Sequence, residues 1–283
     1  MNFHSEKTPH ISKIELLVAD IKAMEEFYTK VLAFSILEKG EDYVSLTANK
    51  KEELIRLTHK PDTILKNTIT QGLYHFALLF PTRVSLAKLY YNILIKQKKL
   101  SGMSDHGVSE ALYLNDPEGN GIELYVDRPV QDWPYLETGE LNMYTDTLNW
   151  QNLLATVTQP GFDGIDSGVV MGHLHLQTKE FAPAKKLFVE VLGFHEIQNL
   201  FDTALFVSKD NYHHHLAFNL WAYDKPIRQA NQTGMLSYTI SLSKADFDNI
   251  KQNLKANKME LFSLENKFYI YDMNGDIIYF ELH

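Results

Sequence analysis

Two stretches of the chain decide the fold, ISKIELLVADIKAMEEFYTKVLAFSIL (11–37) and MGHLHLQTKEFAPAKKLFVEVLGFHEI (171–197). They align with each other without a gap. Each reads as a short alternating strand, an amphipathic helix that ends at V-L-A/G-F, and the start of a second strand. In the first stretch Met24, Phe27 and Val31 recur at helical spacing. The chain is therefore predicted to contain a repeated strand–helix unit.

A second similarity joins QGLYHFALLFPTRVSLAKLYYNIL (71–94) to TGMLSYTISLSKADFDNIKQNL (233–254). These units also end alike, with DPEGNGIELY (116–125) and DMNGDIIYFEL (272–282), in which a D-x-x-G turn leads into a closing strand. The repeats predict four strand–helix–three-strand units, near 11–60, 71–127, 170–222 and 233–283. They divide the chain into an N-terminal half (1–127), a connector (128–169) that joins the halves, and a C-terminal half (170–283).

Composition excludes several classes of function. The 283 residues include 27 Lys+Arg against 36 Asp+Glu, a formal charge of −9, which argues against a nucleic acid partner. No apolar run is long enough for a membrane helix, and the N-terminus lacks the apolar core of a secretory signal, so we expect a cytoplasmic protein with no membrane partner. The absence of cysteine excludes disulfides, thiolate metal sites and a cysteine nucleophile, and leaves 12 histidines and the carboxylates for metal or acid–base chemistry.

Several motifs resemble the vicinal oxygen chelate superfamily, which includes glyoxalase I, bleomycin resistance proteins and extradiol dioxygenases. The most specific are GLYHFALLFPTR (72–83), SDHGVSEALYLNDPEGNGIELYVDRP (104–129), GHLHL (172–176) and YHHHLAFNLW (212–221). They are most similar to the catechol-2,3-dioxygenase-like, ring-cleaving branch, and the resemblance covers nearly the whole chain. It implies an α+β fold in which four βαβββ units pair into two cupped, barrel-like mixed β-sheets with flanking helices. It also implies one divalent metal, bound by the first and last strands of the units.

The metal ligands can be sought at the positions that the family uses. At the first-strand position the four units carry, in order, Lys13, His75, His173 and Ser237. At the closing position unit 2 carries Glu123 and unit 4 carries Tyr279, with Glu281 two residues later. Units paired in chain order would not assemble two histidines and a carboxylate, whereas unit 2 paired with unit 3 would bring together His75, His173 and Glu123. We therefore expect a metal site between units 2 and 3, and a metal-free companion formed by units 1 and 4.

The usual arrangement of the family's ring-cleaving enzymes provides an alternative site. It keeps the metal in units 3 and 4, with His173, Glu281 and one histidine of 213–215 as ligands. For either site the resemblance implies Fe(II), and the same ligand set also binds Mn(II). Zinc or nickel could occupy such a site in a crystal.

The resemblance also implies catalytic residues. The second histidine of the family's H-H-x-x-A-F strand, an acid–base catalyst, corresponds to His214, on the expectation that residues 212–218 form one alternating strand. His106 matches the histidine that hydrogen-bonds substrate or dioxygen, and Tyr113 is the candidate for the tyrosine that binds the deprotonated hydroxyl. The expected partners are a small aromatic diol, of catechol or hydroquinone type, and O2. The sequence leaves a homo-oligomer open.

Two other functions fit the same scaffold. One is a glyoxalase-like metal-dependent isomerase or thiol transferase, and the other is a non-catalytic protein that binds an aromatic compound. Isomerases of this kind need no pair of acid–base histidines, so His106 and His214 favour the dioxygenase. A complete set of His75, His173 and Glu123 argues against a mere binding protein.

Overall fold

The computed structural model describes residues 3–158 and 161–283. Residues 159–160 of the predicted connector and residues 1–2 of the predicted N-terminal half lie outside the described part. The described chain contains four strand–helix–three-strand units in two mixed sheets, so the predicted α+β fold is confirmed. Among the described helices, none has the length and apolar character needed to cross a membrane.

The four units share one order of elements. Unit 1 contains β1 (His10–Leu17), α1 (Ile21–Glu26), β2 (Ser35–Lys39), β3 (Tyr43–Thr47) and β4 (Ile55–Thr58). Unit 2 contains β5 (Gly72–Leu79), α2 (Arg83–Ile95), β6 (Gly102–Asp105), β7 (Ser109–Asn115) and β8 (Gly121–Asp127). After a 3₁₀ turn (Val130–Asp132), the connector forms β9 (Asp146–Thr147) and α3 (Trp150–Leu154).

The second half repeats the same order. Unit 3 contains β10 (Val170–Gln177), α4 (Phe181–Ala184), β11 (His195–Leu200), β12 (Ala204–Ser208) and β13 (Leu216–Asn219). Unit 4 contains β14 (Gly234–Leu242), α5 (Lys244–Ala256), β15 (Phe262–Leu264), β16 (Lys267–Tyr271) and β17 (Ile277–Leu282).

The sheets combine units from opposite ends of the chain. Units 1 and 4 form an eight-stranded sheet in the order β15-β16-β17-β14-β1-β4-β3-β2. Units 2 and 3, with β9, form a nine-stranded sheet in the order β11-β12-β13-β10-β5-β8-β7-β6-β9. At the centre of each, two first strands pair antiparallel, β1 with β14 and β5 with β10. The prediction that unit 2 pairs with unit 3 is therefore confirmed.

The V-L-x-F motif has the same local structure in units 1 and 3. The helix continues into a π-helical turn, Phe27–Val31 in unit 1 and Lys185–Val191 in unit 3. Two residues later the backbone enters the left-handed region, with φ of 61° at Ala33 and 70° at Gly193. A left-handed residue ends a helix and turns the chain away from its axis. In both units this turn leads the chain into the next strand of the sheet.

The connector packs against the sheet of units 2 and 3. Its strand β9 pairs with β6, and Leu148 and Leu153 are buried. Trp133 belongs to a separate apolar cluster with Phe3 and Tyr212. The connector therefore covers one end of this sheet, in addition to joining the halves.

Candidate metal centre

The three predicted ligands lie on three neighbouring strands, His75 on β5, Glu123 on β8 and His173 on β10. The central strand β5 pairs with both of the others, and Ala77 is opposite His173 on one side and Glu123 on the other. Side chains two residues apart on a strand point to the same face, as do those of directly paired residues. The three ligands therefore share the face of Ala77, whose small side chain leaves space between them.

The three side chains meet closely inside the protein. Their candidate ligand atoms all lie within 4.8 Å of one another. The Nε2 atoms of His75 and His173 lie 3.0 and 3.3 Å from Glu123 Oε2. The exposed fractions of His75, Glu123 and His173 are only 6, 3 and 1%. Within residues 3–158 and 161–283, this is the group of histidines and carboxylates whose geometry could hold a metal ion.

Burial and the contacts among the three side chains together set the charges of this group. Burial lowers the pKa of His173 to about 4, against the opposing effect of Glu123, so His173 is neutral at pH 7. Burial alone would raise the pKa of Glu123, but the adjacent His173 and His75 imidazoles hold that pKa well below its usual range. An ionised carboxylate beside a neutral imidazole is the protonation state that metal binding requires.

Two buried ring nitrogens of the cluster lack a hydrogen-bond partner, which is consistent with a cation site. His75 Nε2 and His173 Nδ1 are buried and have no hydrogen-bond partner. His75 Nε2 lies 3.0 Å from a carboxylate oxygen without making a hydrogen bond to it. Buried polar atoms normally have partners. A divalent metal bound by both His75 Nε2 and the Glu123 carboxylate oxygen would be that partner. Two imidazoles and one carboxylate are the donor set of metal sites that keep open positions, so these residues fit a divalent transition metal.

His106 and Tyr113 lie together beside the cluster. Tyr113 is paired with Glu123 across β7 and β8. His106 Nδ1 lies 2.8 Å from the Tyr144 carbonyl oxygen, so this nitrogen donates. The other ring nitrogen, Nε2, lies 2.7 Å from the Tyr113 hydroxyl. Burial, with a contribution from Glu123, raises the pKa of Tyr113 well above 10, so its hydroxyl stays protonated.

His214 lies on the opposite side of the cluster, with its ring centroid 4.1 Å from that of His173 and 5.1 Å from that of Phe206. The prediction of one alternating strand through residues 212–218 was wrong, because β13 begins only at Leu216. Residues 212–215 form an irregular segment in which each histidine has its own surroundings. His215 Nδ1 lies within hydrogen-bond distance of the Ser208 hydroxyl, at 3.0 Å.

The alternative ligand set in units 3 and 4 is not assembled. Glu281 lies on β17 in the other sheet, where its carboxylate accepts a hydrogen bond from Ser12 and lies 3.6 Å from Lys13 Nζ. His173 instead meets the ligands of unit 2, because β10 pairs with β5.

His175 also lines the cavity but was not predicted from the sequence as a site residue. It is opposite His75 in the register of β10 and β5, and their ring centroids are 4.9 Å apart. Its Nε2 accepts a hydrogen bond from Asn219 Nδ2 at 3.0 Å. Alternation in GHLHL puts His175 on the same face as His173, and that pattern could have identified it.

These residues line a cavity of about 510 Å³. His75, Glu123, His173, His106, Tyr113 and His214 all contribute to its wall. The remaining wall is largely apolar and aromatic, with Leu114, Ile122, Met143, Leu200, Phe206 and Trp221. A cavity of this size suits a small organic molecule, and it places such a molecule against the ligand cluster and the second group of histidines together.

Paired βαβββ units around a buried cluster of two histidines and a carboxylate define a glyoxalase-like protein with a candidate metal centre. The chain belongs to the Glyoxalase/Bleomycin resistance protein/Dioxygenase superfamily, whose family model matches residues 10–124. It is 34% identical over 267 residues to catechol-2,3-dioxygenase of Bacillus subtilis (strain 168), covering 93% of each chain.

Two further comparisons agree with this membership. Biphenyl-2,3-diol 1,2-dioxygenase 3 of Rhodococcus globerulus is 29% identical over 146 residues, which cover 50% of this chain and 76% of that protein. The structure of glyoxalase I from Zea mays matches with a TM-score of 0.54 at 13% identity, covering 99% of this chain and 94% of that one. At that identity the likeness concerns the fold alone.

Proposed function

We propose that the protein is an Fe(II)-dependent extradiol dioxygenase that opens the ring of a catechol-type substrate with O2. The observation that carries this proposal is the placement of His75, His173 and Glu123 in one wall of a cavity that also presents His214 and the His106–Tyr113 pair. The similarity to a catechol-2,3-dioxygenase over most of the chain supports the same reaction class.

The protein supplies three ligands. When bound there, Fe(II) would coordinate both oxygens of a catechol and provide the redox chemistry with O2 at its open positions. The side chains around the cavity bind the substrate oxygens and transfer protons. The Tyr113 hydroxyl stays protonated, and its single proton can be donated either to His106 Nε2 or, when a substrate is bound, to a substrate oxygen.

His214 is suited to moving a proton. Burial, followed by the neighbouring histidines, lowers its pKa well below 6.5, so its ring is neutral and can accept a proton. It lies against His173, and therefore beside a substrate oxygen bound at the cluster. We assign His214 as the base that takes a proton from a catechol hydroxyl and later returns it.

The cavity wall limits the substrate class. Among the described residues that form it, there is no lysine or arginine, and Glu123 is the one carboxylate. Tyr74 and Trp221, with ring centroids 5.0 Å apart, add aromatic surface at the exposed side. An anionic ring substituent would be desolvated here without a cationic partner. The favoured substrate is therefore an uncharged catechol, with space for an apolar substituent.

The reaction is tested by loading the purified protein with Fe(II) without air and then adding catechol in aerated buffer. We expect a yellow ring-opened product and consumption of O2 in equal amounts. The His75→Ala variant should lose the reaction, whereas Ser237→Ala, at the equivalent position of the other sheet, should keep it. Isomerisation of a hemithioacetal without consumption of O2 by any tested catechol would instead show a glyoxalase-like enzyme.

The substrate class is tested by comparing kcat/KM for phenyl-substituted catechol, catechol and a catechol that carries a carboxymethyl group. The carboxylate should lower kcat/KM by about 100-fold, since an unpaired buried charge costs on the order of 3 kcal/mol. Leu200→Arg, which adds a cation to the wall, should reduce that difference. Equal kcat/KM for charged and apolar substrates would contradict the proposed preference.

A further inference from the structure

A chain of hydrogen bonds extends from the cavity into the protein behind His214. His214 Nδ1 lies 2.8 Å from His213 Nδ1. His213 Nε2 in turn lies 2.9 Å from Asp127 Oδ1, at the end of β8. The three residues therefore form a continuous series from a carboxylate, through one imidazole, to the imidazole that lines the cavity.

The surroundings hold the middle of this series in place. His213 is completely buried, with its ring between those of Tyr212 and Trp133, at centroid distances of 4.0 and 5.4 Å. The second oxygen of Asp127 accepts a hydrogen bond from the Tyr212 hydroxyl at 3.0 Å. Both carboxylate oxygens are therefore engaged, and neither ring can turn without breaking a contact.

The direction of each hydrogen bond follows from the carboxylate. An ionised Asp127 can only accept, so His213 Nε2 must carry the proton. With its one proton on Nε2, His213 accepts at Nδ1, and His214 Nδ1 is the donor. In a neutral His214 ring, Nε2 is left without a proton and is free to act as a base.

We propose that Asp127 and His213 are positioning residues that hold His214 in the tautomer with an unprotonated Nε2. This inference rests on the proposed function for its catalytic meaning, although the tautomer itself is independent of catalysis. When Nε2 takes the proton of a catechol hydroxyl, the substrate becomes an anion and His214 an imidazolium. The Asp127 carboxylate stabilises that imidazolium through His213, as the carboxylate does in a hydrolytic triad.

The tautomers can be observed directly by nitrogen-15 NMR of histidine-labelled protein. Spectra would be recorded on the full chain at pH 8, without added metal and loaded with diamagnetic Zn(II). His213→Phe and His214→Phe assign the signals by their loss. We expect His213 to be protonated at Nε2 and His214 at Nδ1. A His214 ring protonated at Nε2 in both samples would overturn the proposal, whether or not the protein cleaves catechol.

Two variants of His213 separate positioning from mere packing. In His213→Asn the side-chain oxygen takes the place of Nδ1, so it can still accept the proton of His214 Nδ1. In His213→Gln the side-chain amide takes the place of Nε2 and can still donate to Asp127. No acceptor then remains for the proton of His214 Nδ1. We expect Asn to keep the tautomer and most of kcat, and Gln to lose the tautomer and about 10- to 100-fold of kcat.

Both variants should retain the metal content and KM of the original protein, because position 213 provides no ligand and its ring centroid lies 6.4 Å from that of His173. A kcat lowered equally in the two variants, with the His214 tautomer unchanged, would show that His213 acts only through packing. The NMR result on the unsubstituted protein still decides the tautomer if either variant fails to fold.

Discussion

The sheet of units 2 and 3 and the sheet of units 1 and 4 have the same order of strands, apart from the additional strand β9. In both, the central first strands pair antiparallel and are flanked by parallel partners. Even the register shifts correspond, because they fall just before Lys13 and after Glu15 in β1, and just before His173 and after His175 in β10. The repeated sequence therefore encodes one scaffold twice.

The two scaffolds differ in the side chains at matched positions. His173, His75 and Glu123 in one sheet correspond to Lys13, Ser237 and Tyr279 in the other. In the companion sheet Glu15 accepts hydrogen bonds from Thr58 and Ser237, and Lys13 lies 3.6 Å from Glu281. These polar side chains contact one another, and the Lys13 ammonium occupies the position of the proposed ligand His173 in the other sheet. The two sheets therefore share one scaffold and differ in the side chains that they present at the matched positions.

The largest expected effect is loss of the metal from one sheet only. His75→Ala or Glu123→Ala should remove most of the bound metal and lower turnover by more than about 10⁴-fold, because the metal supplies several kcal/mol of stabilisation. Metal analysis and ring-cleavage assays give the readouts. Ser237→Ala and Tyr279→Phe, the matched companion variants, should retain both metal and activity. Similar losses from the companion variants would contradict the division of roles.

A smaller effect is expected when the metal stays and the base is lost. His214→Phe should keep its Fe(II) while turnover falls by about 10²- to 10⁴-fold, the usual scale for a positioned acid–base group. Metal content and kcat measured on the same preparation separate the two effects. His195→Phe, which changes an exposed histidine of the same sheet, is the control and should leave kcat unchanged. Loss of metal from His214→Phe would make His214 a ligand.

The three proposed metal ligands can be transferred to the sheet of units 1 and 4. A triple variant with Lys13→His, Ser237→His and Tyr279→Glu should give the companion sheet a second metal site. Its affinity should be about 10- to 100-fold weaker than that of the first site, because the surrounding hydrogen bonds did not evolve to orient these ligands. Titration with metal should reach two ions per chain. Saturation at one ion would show that the two backbones differ in a way that matters for binding.

The smallest effect concerns acid stability. His4 is a buried histidine at the sheet of units 2 and 3, where its Nε2 donates a hydrogen bond to the Gly172 carbonyl oxygen at 2.8 Å. Burial lowers the pKa of His4 to about 4, below that of the unfolded chain, so the unfolded state binds the proton first. Stability is therefore lost as the pH falls from about 6.5 towards 4, by about 3 kcal/mol for this residue.

Urea unfolding of the metal-free protein at pH 7 and pH 4.5 measures this dependence. His4→Gln keeps a donor for the carbonyl but cannot titrate, so its free energy of unfolding should fall less between the two pH values. His195→Gln, at an exposed position, should leave the dependence unchanged. An unaltered dependence in His4→Gln would contradict the role of burial at this residue.

The sequence predicted the fold because the same constraints occur twice. The V-L-x-F helix ends, the D-x-x-G turns and the alternating first strands are local signals, and the structure has them in equivalent places. The pairing of unit 2 with unit 3 could be predicted because unit 1, the partner of unit 2 in chain order, carries Lys13 instead of a histidine at the matched first-strand position. Local pattern alone would not distinguish it from pairing in chain order.

Other features depend on contacts that a sequence pattern does not encode. The run 213–215 looks like a strand, but its histidines turn towards Asp127, the cavity and Ser208 separately. The series from Asp127 to His214 joins residues that are far apart in sequence, as does the contact of Trp133 with His213. Such tertiary hydrogen bonds and ring contacts become visible only once the strands are in register.

We expect one metal ion to be held between units 2 and 3 and none between units 1 and 4. The most direct test is anomalous diffraction from crystals of the Fe(II)-loaded protein, recorded on both sides of the iron absorption edge. We predict one strong peak per chain, about 2.0–2.2 Å from the Nε2 atoms of His75 and His173 and from a carboxylate oxygen of Glu123. A peak beside Lys13 and Glu281, or iron bound by residues 213–215 without His75, would contradict it.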